Sequence, residues 1–284
     1  MGKKLTKFLT VLFFILAPYF LVSYTIREYG LGMGFGVMVL IVVALFIYLR
    51  PKIYTIIGRR KYFNDHDEGF KWLEKAYATG KMSAQQSLVY AYLLLRDGHL
   101  DKAERLISAV LLQKGKDLTD KNKLAADLNM SIIRWKRGDL EGAIKTMEKV
   151  FEKGYRSTVA YGTLGTYYLL NNDLARAEEF CQEAMDYNAQ DVSIRDNLGT
   201  LYIKKGEFDK AEEVYKELFD QTEPTFIEAF YNYGYVLEQK GDLENALLYY
   251  TKALGCPEKY LSTVKLSQVD MAYARVENLM QVKE

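Results

Sequence analysis

Hydrophobic residues follow two regimes along this chain. Two uninterrupted apolar runs come first, FLTVLFFILAPYFLVSY over 8–24 and LGMGFGVMVLIVVALFIYL over 31–49, and neither contains a charged residue. At a helical rise of 1.5 Å per residue each run reaches about 25–29 Å, close to the ~30 Å hydrocarbon core of a bilayer. The short connection, Thr25 to Gly30, predicts two antiparallel spans. A cleavable leader is the alternative for the first run, but its end, LVSYT, lacks a small-x-small site and a second apolar run follows at once. Beyond these runs the apolar positions become periodic at helical spacing and recur in blocks.

The blocks are 34 residues long: 84–117, 124–157, 158–191, 192–225 and 227–260, with the insertion Leu118–Lys123 after the first. Position eight is small in each block, namely Ala91, Ser131, Gly165, Gly199 and Gly234. Position fifteen is a turn residue, Gly98, Gly138, Asn172, Gly206 and Gly241. Position twenty is always alanine: Ala103, Ala143, Ala177, Ala211 and Ala246. This pattern predicts two helices of about 13 residues, antiparallel across the turn, brought close by the two small positions. A single pair cannot bury its apolar face, so neighbouring pairs must stack into a solenoid. Acidic residues after the turn, such as Asp139, Asp173, Glu207 and Asp242, suit the positive end of the second helix.

The best copies, Leu198-Gly199…Tyr202…Ala211…Tyr215 and Tyr233-Gly234…Ala246…Tyr250…Ala253, resemble the tetratricopeptide repeat (TPR), with its L-G-x-x-Y and A-x-x-x-[FY] pattern. Two departures are Arg134 in place of a large apolar residue and the near absence of the proline around position 32. With the hairpin read from the apolar runs, the resemblance implies an all-α fold: an N-terminal transmembrane hairpin, then an α-solenoid of about five TPR helix pairs and a capping helix. It also implies a concave groove, lined by the first helix of each pair, that holds a protein or peptide partner. The positions that would face this groove are Tyr92 in the first block and Asn129, Ile132 and Trp135 in the second. Thr166 follows in the third, Asp196, Asn197 and Thr200 in the fourth, and Glu228, Tyr231, Asn232 and Tyr235 in the fifth. Position six is asparagine in three blocks, and an amide there is expected to hold the backbone of an extended peptide. The basic residues of a chaperone-tail carboxylate clamp are absent, since position five is Leu88, Leu128, Gly162, Asp196 and Tyr231.

The ends divide as follows. Residues 1–61 are read as the hairpin plus a basic juxtamembrane stretch, and 62–83 as a half-repeat whose first helix would begin near Arg50. Carrying the register back places Gly69, Leu73 and Ala76 at the packing positions. Residues 261–284 are expected to form one capping helix with apolar Val264, Val269, Ala272, Val276 and Leu279.

Charge changes this picture in one respect. The overall charge of +1 conceals nine Lys/Arg and one acid in 1–61, against 29 Lys/Arg and 36 Asp/Glu in the remainder. Lys3, Lys4 and Lys7 precede the first run, and Arg50, Lys52, Arg59, Arg60 and Lys61 follow the second. Positive charge is retained in the cytoplasm, so both ends, and the repeats, are expected there; repeats on the outer side, in an envelope-assembly or secretion complex, are the alternative. The basic stretch also suits the lipid bilayer surface. The acidic body argues against nucleic acid. Gly30, Gly32, Gly34 and Gly36 are too regularly spaced, and too apolar in setting, for a phosphate loop, and read instead as packing positions between membrane helices. No catalytic, cofactor or metal motif is found: His66 and His99 are isolated, and Cys181 and Cys256 lie far apart without a CxxC. The expectation is therefore a non-catalytic, membrane-anchored interaction scaffold; oligomeric state is not legible.

Overall fold

The computed structural model describes residues 2–112 and 118–282, with side chains from Leu16 onward. The side chains of Lys3, Lys4, Lys7 and residues 8–15 lie outside the described set, as do residues 113–117 and Glu284. Among the described residues there are fourteen α-helices and no strand. They fall into two compact units, one up to Ser83 and one from Ala84 on.

The first unit contains α1 (Gly2–Tyr29), α2 (Leu31–Tyr62) and α3 (His66–Ala78). Helices α1 and α2 form a hairpin whose connection is Gly30 alone, at φ 85, where a side chain would be strained. The expected six-residue loop is thus helical up to Tyr29. Gly34 permits the closest approach: a Cβ there would collide with Ile26 Cγ1, whereas Gly32 and Gly36 have nothing within 4 Å. Helix α2 is long and apolar enough to cross a membrane, alone among the described helices. Its apolar side chains face outward, with Leu31 77%, Leu40 69% and Tyr48 68% exposed, which is not the pattern of a core helix.

Helix α2 does not stop at Leu49. It continues through Pro51 to Tyr62, and this last part packs against α3. A Cβ on Gly58 would lie 2.7 Å from Leu73 Cγ, and one on Gly69 would lie 2.5 Å from Tyr62 Cα. The stretch assigned to a half-repeat therefore pairs with the end of the apolar helix itself, across the boundary drawn at residue 61. Gly69, Leu73 and Ala76 are its buried positions.

The second unit begins with the helix pairs α4 (Ala84–Arg96) with α5 (Leu100–Leu111), α6 (Asp120–Lys136) with α7 (Leu140–Glu152), and α8 (Thr158–Leu170) with α9 (Leu174–Asn188). It continues with α10 (Val192–Lys205) and α11 (Phe208–Gln221), then α12 (Ile227–Gln239) and α13 (Leu243–Leu254), and ends with α14 (Leu266–Gln281). Each pair packs internally and on the next. Helix α6 starts at Asp120, capped by Thr119, so most of the insertion is its first turn. Arg134 causes no break, since it lies exposed and pairs with Asp139 at 3.1 Å.

The small positions explain the packing. All five alanines at position twenty are 0% exposed. At position eight, a Cβ on Gly199 would sit 2.6 Å from the Tyr215 ring, and one on Gly234 would sit 2.9 Å from the Tyr250 ring. Both rings are fully buried, so each glycine is the socket for the tyrosine at position twenty-four. The turn residue is left-handed in every pair, and Asn172 adopts φ 56 where the others use glycine. Asp139, Asp173 and Asp242 then cap the second helix by accepting from Gly142, Arg176 and Asn245 N–H. Glu207 does not cap; it pairs with Lys205 and Lys210.

The cap differs from its sequence reading. Helix α14 begins at Leu266, and Val264 lies in the loop before it. Val269, Ala272 and Val276 are buried against the last pair, while Leu279 is 45% exposed. The Arg275 guanidinium donates twice to Glu238, at 2.7 and 2.8 Å, which holds α14 on α12.

Two glycine substitutions separate socket from spacer. Gly199→Ala should overpack the Tyr215 ring and lower stability by about 1–3 kcal/mol. Gly162→Ala meets only Ser193 Cβ at 3.5 Å and should be neutral, or stabilising by up to about 1 kcal/mol through helix propensity. Equal thermal melts of the two full-length variants, followed by circular dichroism, would contradict this packing.

Candidate functional site

The first helices of the pairs present one face to a shared cavity of about 420 Å³. Tyr92, Ile132, Trp135, Thr166, Asp196, Asn197, Thr200, Glu228 and Asn232 all line it. They come from five different helices, so only stacking in register brings them together. A neighbouring cavity, also about 420 Å³, is bounded by Asn129, Leu88 and Tyr155, and Tyr92 and Val159 border both. Tyr231 and Tyr235 are not part of either lining. Tyr231 tilts onto Tyr250 at 5.8 Å, and Tyr235 meets Phe208 edge-on at 6.2 Å.

The asparagines at position six do something other than wait for a peptide. Asn129 Nδ2 donates to the Leu88 carbonyl at 3.0 Å, and Asn197 Nδ2 to the Gly162 carbonyl at 2.9 Å. Both acceptors are position five of the neighbouring first helix. Asn232 Nδ2 reaches the corresponding residue through its side chain, donating to Asp196 Oδ1 at 3.2 Å and to Thr200 Oγ1 at 3.0 Å. Thr166 Oγ1 adds a bond to Asn197 Oδ1 at 3.1 Å. The donor groups assigned to a partner's backbone are thus engaged between neighbouring helices, and the physical reason is burial. Asn129 and Asn197 are 4% and 7% exposed, where an unpaired amide is costly.

Asp196 is the most unusual group in the lining. It is buried and accepts from the Tyr215 hydroxyl at 2.9 Å as well as from Asn232. Removal from water, reinforced by the nearby Glu228 charge, pushes its carboxyl up to about 7 despite these donors. Glu228 is half-buried, and its Oε1 accepts from the backbone N–H of Thr263 at 2.6 Å. A cation–aromatic cluster adjoins the lining at Trp135, within electrostatic reach of Glu228. The Lys136 ammonium lies 4.4 Å from the Trp135 ring centroid and 4.8 Å from that of Tyr260.

Several lining residues were missed in the sequence reading. Leu261, Thr263 and Val264 come from the loop before α14, and Lys204 and Phe226 from the edges of their helices. The repeat register carries no signal for the loop, because it lies beyond the last complete pair. Among the described residues no group of three or more His, Cys, Asp or Glu is placed to hold a metal ion. Cys181 is buried, which pushes its thiol up to about 12, and it forms no disulfide.

A family model described as tetratricopeptide repeat matches residues 128–191 and 197–260, and a second model of the same description matches 168–224. Residues 128–260 are tetratricopeptide repeats. A solved tetratricopeptide repeat protein from Parabacteroides merdae is similar over 92% of this chain and 99% of its own, at 14% identity and a TM-score of 0.59. A thermophilic TPR protein from Thermus thermophilus is similar over 68% of this chain and 98% of its own, at 21% identity and a TM-score of 0.51. These likenesses concern the fold of the TPR array. YrrB, a TPR protein described as having an unusual peptide-binding site, is 23% identical over 64% of this chain and 90% of its own, with a TM-score of 0.43. No curated protein matches the chain in sequence.

The Asp196 environment has a pH signature. Its folded-state value lies above the ordinary carboxylate value of 3.8, so the folded protein binds the proton more tightly than the unfolded chain. The associated stability is complete below about pH 4 and is lost as pH rises to about 7. Asp196→Asn keeps an acceptor for Tyr215 and Asn232 without the charge. It should raise stability by about 1–3 kcal/mol at pH 8, and this gain should shrink toward zero as pH falls to 4. A gain independent of pH in paired thermal melts would overturn the assignment.

Proposed function

We propose that this chain is a membrane-anchored, non-catalytic interaction scaffold that takes a protein segment or peptide on the concave face of its tetratricopeptide repeats. One observation carries the reading: the shared cavity draws side chains from five first helices and combines the aromatic Tyr92 and Trp135 with the carboxylates Asp196 and Glu228. That combination suits a segment with both apolar and polar groups. The acidic surplus beyond residue 61 disfavours nucleic acid as the ligand.

The anchor is read from α2, whose apolar side chains are exposed, together with the apolar run of α1. Two spans with lysines and arginines at both outer ends give a topology with N-terminus, C-terminus and repeats in the cytoplasm. The basic end of α2 then lies at the lipid surface.

Two measurements test this. A cytoplasm-only fluorescent reporter fused after Glu284 should fluoresce, and residues beyond 62 should resist protease added from outside; a dark fusion with digestion refutes the topology. For the groove, the full chain in detergent is probed with a peptide array. Trp135→Ala should weaken the bound peptides about tenfold or more with an unchanged melt. Peptide binding indifferent to Trp135→Ala would remove the groove from the reading.

A further inference from the structure

The loop between α13 and α14 does not simply connect them. Residues 258–265, EKYLSTVK, run along the cavity, and the contacts they make are those a bound peptide would make. The backbone N–H of Thr263 donates to the Glu228 carboxylate at 2.6 Å, and its hydroxyl lies 3.4 Å from the same oxygen. Lys259 Nζ reaches the Thr225 carbonyl at 3.4 Å, just before α12. Ser262 and Val264 are buried, and Leu261, Thr263 and Val264 belong to the cavity lining.

Between Lys259 and Thr263, Tyr260 reaches the first pair of the solenoid. A Cβ on Gly98 would lie 2.9 Å from Tyr260 Cδ2, so the ring rests directly on that turn. Gly98 also has φ +83, so a larger residue there would be strained and would have to displace the ring. The Tyr260 ring and the Trp135 ring both lie within cation–π distance of the Lys136 ammonium. One short segment thus bridges α12 to the α4–α5 turn across the concave face.

We propose that residues 258–265 are an internal ligand of the repeat groove, and that the partner is an extended protein segment that displaces them by presenting a backbone N–H to Glu228 and an aromatic ring to Gly98 and Lys136. This rests on the groove reading above. The partner differs from the internal ligand in charge. Arg96 lies within electrostatic reach of Lys259, and Lys265 of Lys136; Lys259 and Lys136 are pushed down by burial and then by the like charge, against the opposing pull of Glu228 on both. A segment that is neutral at those two places gives up the Lys259–Thr225 and Lys265–Glu258 contacts but escapes the repulsion, and it keeps the contacts to Glu228, Gly98 and Lys136. The internal segment binds despite its lysines because tethering gives it a high effective concentration, and an untethered partner with better charge can replace it.

The test uses the full chain in detergent and a fluorescein-labelled peptide of residues 257–266 carrying Lys259→Gln and Lys265→Gln. Binding is read by anisotropy for the wild type, for Tyr260→Ala with Thr263→Pro, and for that pair with Glu228→Gln added. The pair removes the ring and the N–H donor and should tighten peptide binding at least tenfold; Glu228→Gln should reverse the gain. As a second readout on the unmutated chain, excess unlabelled peptide should speed hydrogen exchange at Thr263. Equal affinity in wild type and released chain, or exchange at Thr263 unmoved by saturating peptide, overturns the internal ligand. If the array peptides still bind through Trp135 in that case, the groove reading stands and only this inference falls. If no peptide binds any variant, both fall.

Discussion

A close contact between two helices, made possible by one small residue on each, is the constraint on which the repeat array depends. Where position eight is glycine and position twenty-four tyrosine, as at Gly199–Tyr215 and Gly234–Tyr250, the ring occupies the space a Cβ would fill. The alanine at position twenty lies fully buried in every pair. Interiors at this density leave little slack, so a closely packed pair can stack on its neighbours and build the concave face.

Between pairs the decisive contacts are polar. The ladder from Asn129 to Leu88, from Asn197 to Gly162 and from Asn232 to Asp196 ties first helix to first helix. These bonds are buried, and their value lies mainly in the penalty that a shifted register would incur by leaving an amide unpaired. Asp196 is the place where the ladder carries strain of an electrostatic kind. Its carboxyl is held out of water beside Glu228, and the Tyr215 hydroxyl offsets only part of that cost. A charged group in this position is a poor structural choice, since asparagine would make the same bonds. It does place a group that titrates near neutrality in the wall of the cavity.

The open end of a solenoid exposes apolar surface and must be covered. Helix α14 does this with Val269, Ala272 and Val276, and Arg275 fixes its position through a two-point bond to Glu238. Its packing also sets where the preceding loop can go. With Leu266 N–H and Lys265 Nζ both bound to Glu258, the loop is folded back on itself toward the concave face. Capping and occupation of the cavity are therefore two consequences of one piece of chain.

The repeat units and their helix pairs, the left-handed turns and the small-residue sockets were legible in the sequence, because each depends on residues within a single 34-residue period. The apolar character of α2 was equally plain, since a run without charge needs no partner to be recognised. A helix from near Arg50 was expected, but that it runs unbroken out of the apolar stretch was not legible, because the basic residues after Leu49 signal a membrane edge and say nothing about whether the helix ends there. The use of position six was hidden for a related reason: an asparagine's type shows that it will seek partners, and only the stacked neighbour shows that a carbonyl lies within 3.0 Å. The same holds for Asp196, whose burial arises from residues on three helices. The loop at 258–265 has no periodic pattern to read, and its contacts with Gly98 and Lys136 join opposite ends of the repeat array. Local spacing determined the helices and how each folds onto its partner; the contents of the cavity they enclose were decided by tertiary structure, because those contacts exist only after the whole array has closed around them.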